Sequence, residues 1–186
     1  MAGFSFEELE LGGAYLINYF HSSDNRGSFT KYFEKDIYAD SKIEFKVNET
    51  FASVSDKNVI RGLHFQLHNP QAKLVCALKG RVWDVIVDLR LDSRTYKKWI
   101  GIELSKDNLR ALYVPRGFAH GFVSLEDETI LLYQCDGFYD KENDTGIRFD
   151  DPDIGIRWPV NIEKSIHSPR DLCLMSLKTY EERARQ

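Results

Sequence analysis

The sequence predicts an all-β domain, a sandwich or barrel assembled from many short strands. Short apolar runs follow one another closely and are separated by turn-forming residues, which is the pattern of sandwiches and barrels. Segments with helical character are few and short, and most of them lie near the C-terminus. The chain has 186 residues, a length that suits one domain. We therefore expect residues 1–186 to form a single folded unit.

The predicted strands are apolar runs bounded by polar or glycine-containing turns. They are Tyr15–Phe20, Phe45–Val54, Val59–Gln66, Lys73–Leu78, Arg81–Leu89, Trp99–Leu104, Leu109–Val114, Phe118–Leu125 and Thr129–Tyr133. Residues 22–27 are predicted to form a loop. The dipeptide Lys79-Gly80 indicates a hairpin between its flanking strands, and the last two strands are predicted to form a second pair.

Helical signals are confined to three segments. Residues 33–39 suit one short helix. Ser168 is typical of a helix cap, because Pro169 follows at the first helical position and Asp171 lies near the positive end of the dipole. The charged segment 177–186 suits a surface helix.

Composition excludes several classes of protein. The formal net charge is -4, whereas a general nucleic-acid-binding domain normally carries a basic surplus. The three cysteines are widely spaced, and no two of them form a CxxC motif. This spacing argues against a disulfide framework or a zinc site. No apolar run approaches the roughly 18 residues of a membrane span, and residues 1–11 lack the features of a signal peptide. We expect a cytoplasmic protein with no nucleic-acid or membrane partner.

The strand 59–66 contains the first candidate catalytic group. His64 is the natural proton acceptor near neutral pH, since a histidine has an unperturbed pKa of about 6.5. Strand alternation predicts that Arg61 and Leu63 share one face and that His64 and Gln66 share the other. A single strand histidine is more often only hydrogen-bonded, so this residue alone does not indicate catalysis.

Lys73, Tyr133 and Asp171 each have two interpretations. Lys73 begins an apolar strand, where it either extends to solvent or points inward to hold negative charge. Tyr133 ends an apolar strand and is either a core residue with its hydroxyl at the rim or a proton donor. Asp171 is either a helix-start carboxylate or the partner that orients a histidine.

Residues 115–120 read Pro-x-Gly-x-x-His, which matches part of the second cupin motif. Such a turn delivers His120 into a barrel. A metal-binding cupin also needs an HxH pair and a downstream Glu, but residues 64–66 read His-Phe-Gln. Since stable first-row metal sites use three or four converging ligands, we predict no metal site here. A metal-dependent cupin enzyme remains an alternative.

The order of these motifs resembles the dTDP-4-dehydrorhamnose 3,5-epimerase family over about residues 12 to 175. The motifs that carry the resemblance are Arg26-Gly27, Arg61–His64, Gln71–Lys73, Pro115–Gly121, Tyr133, Asp151–Pro159 and Ser168–Asp171. Together they are far more specific than any one of them alone.

This resemblance implies a cupin-type double-stranded β-helix, or jelly roll, usually a homodimer without cofactor or metal. The implied substrate is a nucleotide-linked 4-keto-6-deoxy-hexose. His64 resembles the base, Asp171 the carboxylate that orients it, Tyr133 the acid on the opposite sugar face, and Lys73 the cation beside the C4 oxygen. The residues that resemble substrate contacts are Arg61, His120, Arg26, Arg170 and Tyr139.

The chemistry explains these residue types. A C4 ketone acidifies the hydrogens on C3 and C5, and removal of one leaves an enolate with its charge on the C4 oxygen. A base on one face and an acid on the other invert the centre, and a fixed cation stabilises the oxyanion. Such a reaction needs no redox cofactor. The main prediction is conversion of dTDP-4-dehydro-6-deoxy-glucose to dTDP-4-dehydro-rhamnose.

The predicted nucleotide end departs from the family pattern. Glu49 and Phe51 stand where the family often has Gln and Asn, and Lys31 and Asp144 each stand where it often has Glu. A Glu49 carboxylate is able to pair with adjacent donors on guanine, whereas thymine offers one ring N–H. A GDP- or CDP-linked substrate is therefore an alternative. Inversion at C3 or C5 alone is another, because it depends on the pose of the substrate, and a non-catalytic sugar-binding module is a third.

Overall fold

A computed structural model describes residues 3–184 as a sandwich of two antiparallel sheets with a separate two-stranded ribbon. The strands are β1 Ser5–Glu8, β2 Tyr15–Asn18, β3 Phe20–Asp24, β4 Gly27–Lys31, β5 Glu49–Ser55, β6 Ile60–Gln66, β7 Lys73–Lys79, β8 Arg81–Asp88, β9 Trp99–Ser105, β10 Arg110–Val114, β11 Phe118–Ser124, β12 Thr129–Cys135 and β13 Asp144–Gly146. The six-stranded sheet has the order β1-β2-β10-β7-β12-β5, and the five-stranded sheet has the order β13-β6-β11-β8-β9. The predicted all-β jelly roll is confirmed.

The main core lies between the two sheets, because alternate residues of each strand point inward. Val75, Ala77 and Leu131 come from the six-stranded sheet, while Ile86 and Phe122 come from the five-stranded sheet. All of these side chains are buried. Truncating a buried Phe to Ala typically costs about 3 to 5 kcal/mol, so this layer contributes much of the stability.

Helices and irregular segments cover the outer faces of both sheets. Helix α1, Lys35–Asp40, places the buried Tyr38 against the six-stranded sheet. The C-terminal segment carries α2 Pro169–Leu172 and α3 Leu177–Ala184, and Leu177 packs on the outer face of the five-stranded sheet. No helix among residues 3–184 is long and apolar enough to cross a membrane.

The predicted helices near the C-terminus are confirmed within the described residues. The Ser168 hydroxyl accepts a hydrogen bond from Asp171 N, so it caps α2 as expected. Residues 185 and 186 of the last predicted helix lie outside the described residues.

Both predicted hairpins are wrong. β7 pairs with β10 and β12, whereas β8 pairs with β9 and β11, so the strands on either side of Gly80 belong to different sheets. β11 and β12 are divided in the same way. Gly80 has φ +71 and closely approaches Thr129, which lets the chain cross from one sheet to the other. Because of these crossings, β7, β8, β11 and β12 each lie between two neighbouring strands and contribute to a shared core.

The predicted loop 22–27 is also wrong in most of its length. Residues up to Asp24 continue as β3 and pair antiparallel with β4, so only residues 25 and 26 form the turn. The polar composition suggested a loop, but a ribbon outside the core has no apolar face to bury and so leaves no alternating pattern.

Candidate active site

A cavity of about 690 Å³ lies between the two sheets and contains most of the candidate residues. This volume is in the range of small-molecule sites, roughly 300 to 1,000 Å³. Strands of both sheets contribute to its walls. The lining residues are Glu49, Thr50, Phe51, Ser53, Arg61, His64, Phe65, Gln66, Gln71, Lys73, His120, Gly121, Phe122, Tyr133, Tyr139, Asp144 and Arg170.

An irregularity in β6 brings Arg61 and His64 to the same cavity. The pairing register between β6 and β11 shifts between the pairs His120–His64 and Phe122–Arg61. Gly62, between them, has φ +118, and a Cβ there would lie 2.6 Å from Gly121 Cα. The prediction that Arg61 and His64 lie on opposite faces is therefore wrong, because the bulge breaks the alternation.

His64 and Asp171 form a hydrogen-bonded pair at the cavity wall. His64 Nε2 lies 2.7 Å from Asp171 Oδ1, and the Asp171 side chain is buried. Burial alone would raise the pKa of the Asp171 carboxyl, but the hydrogen bond and charge of His64, helped by backbone and Ser168 donors, keep it below its ordinary value. An ionised carboxylate holds the ring in one orientation and leaves Nδ1 available to accept a proton.

Tyr133 lies on the opposite sheet from His64. Burial, with the charge of Asp84, raises its pKa far above the ordinary value, so its hydroxyl keeps its proton at neutral pH. The rings of Tyr133 and Phe51 stack with centroids 4.8 Å apart and an interplanar angle of 14°. Phe51 is half exposed at the cavity mouth, and this stack fixes the plane of the tyrosine.

Lys73 points into the cavity from the start of β7. Burial lowers the pKa of its ammonium group, and nearby Cys135, Asp144 and Asp84 oppose that shift. Its inward direction follows from the alternation of β7, in which Val75 and Ala77 belong to the core between the sheets. The interpretation in which Lys73 extends to solvent is thus not the one that the structure adopts.

The segment that carries Tyr139 is held by hydrogen bonds to side chains that line the cavity. Glu49 Oε1 accepts from Tyr139 N at 2.8 Å, and Glu49 Oε2 accepts from the Gln71 amide at 3.3 Å. The Gln66 amide donates to Phe138 O and accepts from Asp140 N. The Glu49 carboxylate therefore stabilises the position of the Tyr139 segment within the protein.

A second group of polar residues borders the Tyr139 side chain. The Tyr139 hydroxyl donates to Asp144 Oδ2 at 3.1 Å, and Arg170 forms an ion pair with the same oxygen at 2.8 Å. Arg61 is held from the other side, since its guanidinium donates to Ser55 Oγ and to Val54 O. Arg170 and the exposed ring of Tyr139 thus meet at Asp144, whereas Arg61 lies beside Val54 and Ser55, at the opposite end of β5 from Glu49.

Arg26 and Lys31 do not line this cavity. Both lie on the β3–β4 ribbon, where Arg26 is highly exposed and paired with Asp24, and Lys31 is paired with Glu34. The other candidates either line the cavity or, like Asp171, contact a residue that does.

Sequence reasoning missed two residues that shape the cavity. The sequence identifies Gln66 only as a same-face neighbour of His64 and as the residue in place of a second metal-binding His, but its amide anchors the Tyr139 segment. Asp84 was not considered, although a carboxylate in the middle of the apolar run 81–89 is an unusual residue for a buried strand.

Among residues 3–184, no three His, Cys, Asp or Glu side chains cluster in a way that would hold a metal ion.

Comparison with known proteins supports one family. The model of the dTDP-4-dehydrorhamnose 3,5-epimerase family matches residues 8–179. A dTDP-4-dehydrorhamnose 3,5-epimerase of Methanothermobacter thermautotrophicus is 44% identical over 172 residues, which are 92% of this chain and 93% of the relative.

Two solved structures have the same fold. A 3,5-epimerase of Bacillus anthracis with TDP and pyrophosphate bound is 38% identical with a TM-score of 0.90, and the match covers 94% of this chain and 100% of that one. A Legionella pneumophila epimerase in complex with dTDP-4-keto-L-rhamnose is 33% identical with a TM-score of 0.93, covering 98% and 97%. The chain therefore belongs to the dTDP-4-dehydrorhamnose 3,5-epimerase family and is a nucleotide-sugar epimerase.

Proposed function

We propose that this protein inverts both C3 and C5 of dTDP-4-dehydro-6-deoxy-glucose and so forms dTDP-4-dehydro-rhamnose. The observation that carries the proposal is the position of His64 and Tyr133 on opposite sheets facing one cavity. A proton removed on one side of a sugar ring and returned on the other inverts the carbon. Residues 1–186 act as one domain in this proposal.

His64 is the base and Asp171 stabilises the imidazolium that forms. A carboxylate 2.7 Å from the ring favours the charged histidine in the transition state. Tyr133 stays protonated while His64 removes the proton, and it then donates its own proton to the enolate carbon from the opposite face. Lys73 lines the same cavity, and in this proposal its ammonium group stabilises the negative charge that develops on the C4 oxygen.

The nucleotide lies at the end of the cavity where Tyr139 and Arg170 meet, and Arg61 lines the same cavity nearer its other end. An exposed aromatic ring suits stacking on a base, and guanidinium groups suit a diphosphate. Phe51 and Asp144 complete the nucleotide contacts in this proposal, and His120 contacts the sugar. Thymine is favoured over guanine, because the related structures hold TDP or a dTDP-linked sugar and because each oxygen of Glu49 already accepts a hydrogen bond from the protein.

The protein acts as a homodimer in this proposal. Arg26 and Lys31 do not line the cavity of their own chain and lie on a ribbon that is separate from the two sheets. A second copy is the partner whose cavity such a ribbon is able to reach. Sedimentation velocity at micromolar concentration measures the state, and a monomer with full activity would contradict this part.

We also propose a cytoplasmic location. Cys76, Cys135 and Cys173 are free thiols. Free thiols are ordinary in a reducing compartment, where disulfides are rare.

The test is deuterium exchange. Chelator-treated protein is incubated in D₂O with dTDP-, GDP- and CDP-linked 4-keto-6-deoxy-hexoses, and C3 and C5 are followed by NMR. Deuterium at both carbons of the dTDP sugar, with little in the other two, is expected. Deuterium at one carbon only would show that the enzyme inverts that carbon alone. Faster exchange with the GDP-linked sugar than with the dTDP-linked sugar would favour the interpretation in which Glu49 pairs with guanine.

A variant separates catalysis from binding. His64→Ala removes the base and is expected to abolish exchange at both carbons while dTDP binding persists. Exchange by His64→Ala at a substantial fraction of the native rate would refute the assignment. Binding without exchange by the native protein would indicate a sugar-binding module, and activity that requires added metal would indicate a metal-dependent cupin.

A further inference from the structure

One buried carboxylate is not used by the mechanism above. Asp84 lies in the middle of β8 and has no solvent exposure. Its neighbours on the same face, Val82 and Ile86, belong to the core between the sheets, so the carboxylate also points inward. An ionised carboxylate in such a place is costly unless cations and donors compensate for the lost water.

The compensating group is His120 on the adjacent strand β11. His120 Nε2 lies 2.9 Å from both Asp84 Oδ1 and Asp84 Oδ2, and the histidine is itself 4% exposed. Lys73 adds a second positive charge to the surroundings of the carboxylate. Burial raises the pKa of the Asp84 carboxyl, and His120 and Lys73 oppose that shift without fully cancelling it.

The pairing determines which histidine nitrogen is left for a ligand. Because Nε2 is bonded to Asp84, Nδ1 is the only ring nitrogen of His120 that remains for the cavity it lines. A neutral His120 with its proton on Nε2 has a bare Nδ1, which cannot donate to a ketone or enolate oxygen. A protonated His120 donates from both nitrogens.

The groups around His120 decide which form is favoured. Asp84 on β8 favours the imidazolium, whereas Lys73 on β7 disfavours it. Tyr133 on β12, with its ring centroid 5.9 Å from that of His120, keeps its proton and is neutral. His64 on β6 lies directly across the strand pair and must be neutral to act as a base. The charged group in direct contact with the His120 ring is therefore the Asp84 carboxylate, and it favours the imidazolium.

We propose that Asp84 is a positioning residue that holds His120 as an imidazolium, so that His120 and Lys73 together donate to the enolate oxygen. The inference rests on the proposed epimerase mechanism. With Asp84 ionised and His120 and Lys73 protonated, the three groups carry one net positive charge. The enolate brings one negative charge. The three side chains and the enolate together therefore have no net charge.

The test is Asp84→Asn, which preserves shape and can still accept a hydrogen bond but has no charge. Loss of one effective oxyanion donor typically lowers kcat by about 10²- to 10³-fold. We expect a kcat loss of that order with the affinity for dTDP within about threefold of the native value. The kcat is taken from deuterium exchange at C3 and C5.

A second readout reports the proton itself. Protein labelled with ¹⁵N-histidine is titrated by NMR from about pH 6 to 8, and the His120 signals are identified by their loss in His120→Asn. We expect Nδ1 of His120 to be protonated throughout in the native protein and to lose its proton in Asp84→Asn. A structural role of Asp84 would lower stability without changing this signal.

Asp88→Asn is the matched control. Asp88 lies four positions further along β8, is also buried, and contacts Arg90 rather than the cavity. It is expected to lower stability but to leave kcat and the His120 signal unchanged.

Three results would overturn the proposal. They are a native-like kcat in folded Asp84→Asn, a kcat loss with His120 still protonated, and a bare Nδ1 at neutral pH in the native protein. The last measurement needs no variant at Asp84, so it decides the matter even if Asp84→Asn does not fold. Absence of exchange by the native protein would refute the epimerase mechanism instead, and the histidine spectrum would still report the Asp84–His120 pair.

Discussion

Replacing Asp171 by Asn tests whether the carboxylate stabilises a charge that appears on His64 during the reaction. Asn is similar in shape, and its amide oxygen is able to accept the same hydrogen bond from His64 Nε2. The variant therefore removes the negative charge while keeping the ring oriented. We expect kcat for exchange at C3 and C5 to fall, with the affinity for dTDP nearly unchanged.

The magnitude follows from the geometry. The hydrogen bond is 2.7 Å long, which places the two charge centres about 4 Å apart. At an effective dielectric constant of about 20, opposite charges at that distance attract by about 4 kcal/mol, or roughly a thousandfold in rate. The His64 side chain is 28% exposed, so solvent weakens the attraction. We therefore expect a loss of about 10²- to 10³-fold, within the range of general acid–base catalysis.

The assay is initial-rate deuterium incorporation by NMR, with dTDP affinity from calorimetry and folding checked by circular dichroism. Asp153→Asn makes the same chemical change at an exposed position of the same C-terminal region and is expected to exchange at the native rate. If folded Asp171→Asn exchanges within threefold of the native rate, the carboxylate does not stabilise the imidazolium.

Three further variants test other parts of the structure. Tyr133→Phe should slow formation of the inverted product more than deuterium uptake, because His64 can still remove and return a proton on its own face; NMR measures both rates. Gly62→Ala should lower the free energy of unfolding by about 2 to 5 kcal/mol in a urea titration, since its φ of +118 strains an L-residue and the new methyl meets Gly121 Cα at 2.6 Å. Burial would raise the pKa of the Asp88 carboxyl, but Arg90, Ser93 and Thr95 hold it at about 2. Asp88→Asn should therefore cost about 2 kcal/mol at pH 7, and the difference from the native protein should shrink as pH falls from about 4 to 2, where the native carboxylate gains a proton.

Each of these expectations has a contrary outcome. Equal slowing of uptake and product formation in Tyr133→Phe would remove the need for a separate acid. Gly12→Ala is the control for the glycine variant, because nothing lies within 4 Å of its added methyl, and equal stability of the two would refute the argument from close approach. A stability difference for Asp88→Asn that persists at pH 2 would show that charge is not its cause.

Local sequence patterns were sufficient to predict most strands and the cap of α2. Apolar runs and turn residues act over a few positions, so Ile60–Gln66 and Phe118–Ser124 were located nearly to their ends. They did not predict which strands pair. The chain crosses between sheets at Gly80, and a tight turn looks the same in sequence whether the strands that follow it pair or separate.

The candidate site was predicted through its order of motifs. Residue types suited to proton transfer, taken with the family resemblance, identified His64, Lys73 and Tyr133, which face one cavity. Alternation failed at Arg61, because the pairing of β6 with β11 contains a bulge. A bulge depends on the partner strand, and no single strand encodes it.

The sequence by itself determined the β class, the chemistry of the reacting groups and the family. Only the tertiary structure decided that Asp171 contacts His64, that Gln66 and Glu49 hold the Tyr139 segment, and that Arg26 lies outside its own cavity. The buried pair of Asp84 and His120 likewise became evident only in the fold. The physical reason is that residue chemistry and strand periodicity are local properties. A hydrogen bond between residues far apart in the chain depends on how the sheets pair and pack.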